Sequence, residues 1–109
     1  MHRNVALGIL LVGLSTGPSP TFAADFVQSA ENGQKIAEDW CAACHTVSAR
    51  SPGRDTAPPF SAIARNRAFD RDKLIQVLAD PHPPMPKIHL SRQQLDDVIA
   101  YIHSLRQTE

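Results

Sequence analysis

The chain has 109 residues, with eleven Lys/Arg balanced by eleven Asp/Glu, so one small domain of zero formal charge is expected. Neutrality argues against a protein that holds nucleic acid by neutralising phosphates. With one Trp, one Tyr and four Phe, a conventional core must rest mainly on aliphatic side chains.

The first stretch reads as an export signal rather than part of a fold. His2 and Arg3 make a short basic start, and Val5 to Leu14 is an apolar run. That run is half the length of about twenty residues needed to span a hydrocarbon core. Gly17-Pro18-Ser19-Pro20 then breaks it, and Thr21 and Ala23 suit a signal peptidase. Residues 1–23 are therefore expected to be a cleaved signal peptide, with export to the periplasm, residues 24–109 as the domain, and no stable membrane span after cleavage. A domain this small gains from a disulfide, a metal or a cofactor that enlarges its core.

Three helical segments follow, with no strand-period alternation and no internal repeat. The first is expected from about Ser29, as cap, to Cys44. Ala30, Gly33, Ala37 and Trp40 recur at steps of three and four and share a face. Glycine costs a helix roughly 1 kcal/mol against alanine, so Gly33 is better explained by close approach of another element. The second runs from about Arg71 to Asp80, capped by Asp70, with Phe69 placed to staple onto Leu74. Leu74, Ile75, Val77 and Leu78 supply its buried side, and Pro81 stops it. The third opens on Ser91-Arg92-Gln93-Gln94, a capping box flanked by Leu90 and Leu95 as a staple. Leu95, Val98, Ile99, Ile102 and Leu105 form its apolar stripe. Asp96 and Asp97 near its start and Arg106 near its end suit the helix dipole, and His103 is expected on its outer face.

Two loops separate the helices. One, Ser51 to Pro59, contains Pro52, Gly53, Pro58 and Pro59. The other, Pro81-His82-Pro83-Pro84-Met85-Pro86, is a stiff segment with few backbone donors. Such a loop can hold a side chain in place without regular structure.

Cys41-Ala42-Ala43-Cys44-His45 decides the chemistry. C-x-x-C-H is the attachment signature of c-type haem. Two thiols at this spacing can add to the two vinyl groups on one porphyrin edge, and the adjacent His45 is carried beneath the iron. A local disulfide or a thioredoxin-like pair is the competing reading, but the latter expects a βαβ setting that is absent from the pattern. Zinc needs four ligands, and His82 and His89 are spaced too widely for the usual motif.

Over residues 29–107 the chain resembles the small class I, single-haem cytochromes c. Gly33 stands where that family has its helix-one glycine, and Tyr101 where its last helix supplies an aromatic ring. Ala57-Pro58-Pro59-Phe60 resembles the family's G-P-x-L segment. Ala37 replaces a common aromatic residue, a space that Trp40 is expected to fill. The resemblance implies an all-α fold of three main helices around one covalent haem c. It also implies that the carbonyl of Pro58, or of Pro59, accepts a hydrogen bond from His45. Met85 is the expected sixth ligand, because its proline-rich setting resembles the family's methionine loop and a thioether favours ferrous iron. His82 and His89 are the alternatives, and a lone core-filling methionine is the plainer one. Arg65, Arg67 and Lys87 could reach haem propionates, although a solvated basic surface is the simpler reading.

With iron ligated on both sides, substrate has no open position. The expected function is transfer of single electrons between a redox donor and acceptor. The chain would act as a free carrier docking transiently or as the electron-accepting subunit of a periplasmic dehydrogenase, and not as an enzyme by itself. A displaceable distal ligand would instead make a peroxidase or a gas sensor.

Overall fold

The computed structural model describes residues 12–14, 17, 22–50 and 56–106. Most of the expected signal peptide lies outside the described residues. Among the described residues the regular elements are four helices: α1 (Phe22–Trp40), α2 (Phe60–Arg65), α3 (Arg71–Ala79) and α4 (Arg92–Ser104). The fold is all-α, as expected. No described helix is long and apolar enough to cross a membrane.

The frame is the pairing of α1 with α4. Val98, Ile99 and Ile102 bury the stripe of α4, with Leu95 and Leu105 packed at its ends. α1 offers a small-sided face to it, Ala30, Gly33 and Ala37, so the two backbones lie close. A Cβ on Gly33 would overlap the Asp97 carbonyl and stand 2.9 Å from Tyr101 Cβ. The capping box of α4 is complete. Gln94 N–H donates to Ser91 Oγ at 3.1 Å, and Ser91 N–H to Gln94 Oε1 at 2.9 Å. Asp70 caps α3 by accepting from Lys73 N–H at 2.9 Å. Each such cap is worth about 1 kcal/mol. The exposed Arg71–Asp96 pair, at 2.6 Å, adds at most about 1 kcal/mol.

Several expectations are corrected. α1 begins at Phe22, so Ser29 is an interior residue and not its cap. Its hydroxyl instead donates to Asp97 Oδ1 at 2.5 Å, and Gln93 Nε2 donates to the same oxygen at 2.9 Å. Asp97 therefore faces α1 and is buried, not solvated at the helix end. The reason is the glycine: where α1 and α4 touch backbone to backbone, the Asp97 carboxylate is covered and takes its hydrogen bonds from Ser29 and Gln93. Trp40 does not join the core with Ala37. It is 62% exposed, standing in the wall of a cleft beyond the end of the core-facing stripe. On α3 only Leu74 is fully buried; Ile75, Val77 and Leu78 are half-covered. The short α2 was not expected at all. It follows Pro59 and buries Phe60 and Ala64.

His103 is half-buried rather than on an outer face, and its buried Nε2 has no hydrogen-bond partner among the described residues. Burial holds its imidazole below the ordinary 6.5. The Arg106 and Arg71 guanidiniums push the same way, against the Phe69 backbone and Asp70. The unfolded chain therefore takes up this proton first as pH falls. Stability tied to neutral His103 is complete above about 6.5 and drains away below it, through the depressed folded value. Wild type is expected to lose more stability than His103→Gln between about pH 7.5 and 5.5, by denaturant unfolding at each pH. Equal losses would show that His103 does not contribute.

Candidate functional site

The end of α1 builds the motif. Cys41 and Ala42 N–H both donate to the Ala37 carbonyl, at 2.8 and 3.1 Å. One more turn follows, in which the Cys41 carbonyl accepts from Cys44 N–H at 3.2 Å and His45 N–H at 2.9 Å. Winding of this kind makes Cys41, Cys44 and His45 neighbours at i, i+3 and i+4. The C-x-x-C-H spacing thus becomes a single cluster of two thiols and an imidazole.

A second segment is laid along it by three links. Thr56 Oγ1 donates to the Cys44 carbonyl at 3.3 Å, His45 Nδ1 and Pro58 O are 2.6 Å apart, and Phe60 N–H donates to the Thr46 carbonyl at 2.9 Å. Tyr101 closes the layer from α4, its hydroxyl donating to the Val47 carbonyl. Burial, and then Glu38, push the Tyr101 phenol up, so it stays a donor at neutral pH. The Pro59 carbonyl is engaged elsewhere, accepting from Ala62 and Ile63 N–H in α2 at 3.0 and 3.2 Å.

The Pro58 contact sets the state of His45. A carbonyl can only accept, so Nδ1 carries the hydrogen, and the tautomer this selects for the neutral ring has its lone pair on Nε2. Phe60 meets the same ring edge-on, with centroids 5.3 Å apart and planes at 63°. The imidazole is thus held from behind and has a free donor atom.

His45 lines a cleft of about 470 Å³. Trp40 contributes from the end of α1, Cys41, Ala43 and Cys44 from the motif, and Thr56, Ala57 and Pro58 from the segment beside it. The proline-rich loop supplies His82, Pro84, Met85 and Pro86, with Ile88 after it. Met85 N–H donates to the His82 carbonyl at 3.1 Å, folding that loop into a turn. The cleft therefore joins Cys41, Cys44, His45, Pro58 and Met85. His89 and Lys87 do not line it. Nor do Arg65 and Arg67, which line a second concavity with Ala64 and Arg106. Arg106 is fixed there, Nε donating to the Ala64 carbonyl at 2.5 Å and Nη2 to that of Phe69 at 2.9 Å.

Both thiols are free. Burial pushes Cys41 up to about 11, the opposite of the depressed value that disulfide-exchange cysteines need. Among the described residues no three His, Cys, Asp or Glu side chains are placed to hold a metal ion, which gives zinc no support. The donor set that is present suits another group. Two thiols can form thioethers, an oriented imidazole offers Nε2, a thioether can complete an iron, and the walls are mostly apolar. These residues fit a haem.

Comparison with known proteins agrees. Residues 30–106 match the cytochrome c family profile. The chain belongs to the cytochrome c family. It is also 37% identical over 107 residues to cytochrome c-552 of Bradyrhizobium diazoefficiens, covering 97% of this chain and 99% of that one. No solved structure gives a significant match. As a class I cytochrome c the chain takes covalently bound haem c as its cofactor and carries electrons between redox partners.

Some contributors to the site were missed in the sequence. Phe60, Ile63 and Ala64 have helical spacing after two prolines, a signal sufficient for α2. Trp40 in the cleft wall has no comparable sequence signal, since its spacing placed it with the core.

Proposed function

We propose that this cytochrome c is exported by cleavage after Ala23 and carries one electron at a time in the periplasm. Cys41 and Cys44 would attach its single haem, and His45 and Met85 would supply the two protein ligands of the iron. The observation that carries this reading is the 2.6 Å contact between His45 Nδ1 and Pro58 O, made at the wall of a cleft that also receives Met85. The haem, when bound, supplies a one-electron ferric/ferrous couple.

The chain does the rest. The bond to Pro58 holds the imidazole plane and strengthens Nε2 as a donor. The thioether of Met85 is neutral and soft, which favours the ferrous state. Ala43 and Cys44 are exposed, so the attachment edge lies near the surface where a partner can approach. After cleavage ten Lys/Arg face eleven Asp/Glu, and this near-neutral charge provides little long-range steering, so short-range fit selects the donor and acceptor. Electron delivery from a periplasmic dehydrogenase, to which this chain would dock as acceptor or subunit, fits such a surface.

The test is an absorption spectrum of protein exported from a host with haem-c maturation machinery. Sharp low-spin bands on reduction are expected, with the weak red-edge methionine–iron band when oxidised, lost in Met85→Ala. A high-spin oxidised protein would overturn the carrier reading in favour of a reactive haem. Absence of haem after confirmed export would overturn the attachment itself.

A further inference from the structure

We infer that His82 is a reserve ligand for the haem iron, taking the sixth position when the Met85 thioether is lost. The inference rests on the reading of Met85 as the ordinary ligand.

Among the histidines in the described residues other than His45, only His82 lines the cleft; His89 and His103 do not. His82 and Met85 belong to one turn, closed by the 3.1 Å bond from Met85 N–H to the His82 carbonyl. They are therefore presented to the cleft by the same short piece of chain. Pro83, Pro84 and Pro86 limit the conformations of that piece, so it keeps both side chains near the cleft. Their burial differs: Met85 is half-buried and His82 exposed. Of the two, Met85 is the more covered and His82 the more accessible, which suits a ligand in use and one in waiting.

The exchange needs no electron. The chain would withdraw the Met85 thioether and offer the neutral imidazole of His82 in its place, one neutral donor for another. The consequence is protective. Iron that had lost its thioether, for example through oxidation of Met85 to the sulfoxide by peroxide, would otherwise open a position to that same peroxide. His82 closes it and keeps the protein from becoming a peroxidase.

The test uses holoprotein, wild type, Met85→Ala and Met85→Ala/His82→Ala, followed by ferric absorption, electron paramagnetic resonance and peroxide-dependent dye oxidation. Wild type should show the methionine–iron band. Met85→Ala should lose that band yet stay low-spin with little dye oxidation. The double variant should lose the low-spin signal and gain dye oxidation. Met85→Ala/His82→Gln gives the same answer if the alanine pair does not fold, and Met85→Ala/His89→Ala should behave as Met85→Ala alone. A high-spin Met85→Ala would overturn the proposal and leave the Met85 reading intact, as would a double variant that stays low-spin. Wild type without the methionine band, and losing its low-spin signal in His82→Ala, would instead overturn the Met85 reading.

Discussion

Gly33→Ala is expected to lower the stability of the holoprotein by at least about 2 kcal/mol, against the direction of helix propensity. In an exposed helix interior the same change would gain about 1 kcal/mol. Here the added methyl overlaps the Asp97 carbonyl oxygen and carbon and comes within 2.9 Å of Tyr101 Cβ. The obstacle is backbone, so no rotamer change relieves it. α4 must move, carrying Val98, Ile99 and Ile102 out of a close-packed core. Overpacking of this kind costs about 1–3 kcal/mol, and more where backbone shifts. Against a total of roughly 5–10 kcal/mol for a domain of this size, the loss is large. Denaturant unfolding should show a lower midpoint with the slope unchanged. Glu31→Ala, an exposed change on the same helix, should leave the midpoint in place. An unshifted midpoint in Gly33→Ala would show that α1 and α4 do not approach as closely as described.

That prediction was half legible in the sequence. A helical glycine with no propensity reason to be there signals close approach, and the family resemblance points to the last helix. What approaches is a tertiary fact. Asp97 looked like a dipole partner because local sequence shows its distance from the helix start but not its facing. Only the pairing of α1 with α4 turns it inward onto Ser29. Trp40 failed for a related reason: seven residues after Gly33 it belongs to the same helical face, but that face ends with the helix. Ser91 and Asp70 were readable because caps are local, satisfied within three residues. The haem c cofactor was readable because the C-x-x-C-H spacing at Cys41, Cys44 and His45 is itself the attachment signature. Pro58 against Pro59 was open, since adjacent prolines differ only in where their carbonyls point. The structure turns one to His45 and the other into α2.

Phe60→Ala should be the most damaging single truncation near the site, costing about 3–5 kcal/mol. Phe60 is buried, and its ring meets both His45, at 5.3 Å between centroids, and Tyr101, at 6.3 Å. It therefore joins the core to the back of the imidazole. Its N–H, bonded to the Thr46 carbonyl, is untouched by the substitution, so the loss isolates the ring. A cavity opens where the ring stood, and the cost rises with how little the neighbours collapse into it. Phe60→Leu keeps most of the volume and should cost less than about 1.5 kcal/mol beyond the lost ring contacts. The site should respond as well. Water entering behind His45 raises the local dielectric and favours the more highly charged ferric state, so the reduction potential should fall in Phe60→Ala and hold nearly steady in Phe60→Leu. The two readouts separate two roles. A stability loss with an unchanged potential would make Phe60 a core residue only. A loss below about 1 kcal/mol would mean that the ring is not buried against His45 and Tyr101. If both fall together in Phe60→Ala and both recover in Phe60→Leu, the short helix that begins at this residue positions His45, the proposed iron ligand, as well as filling the core.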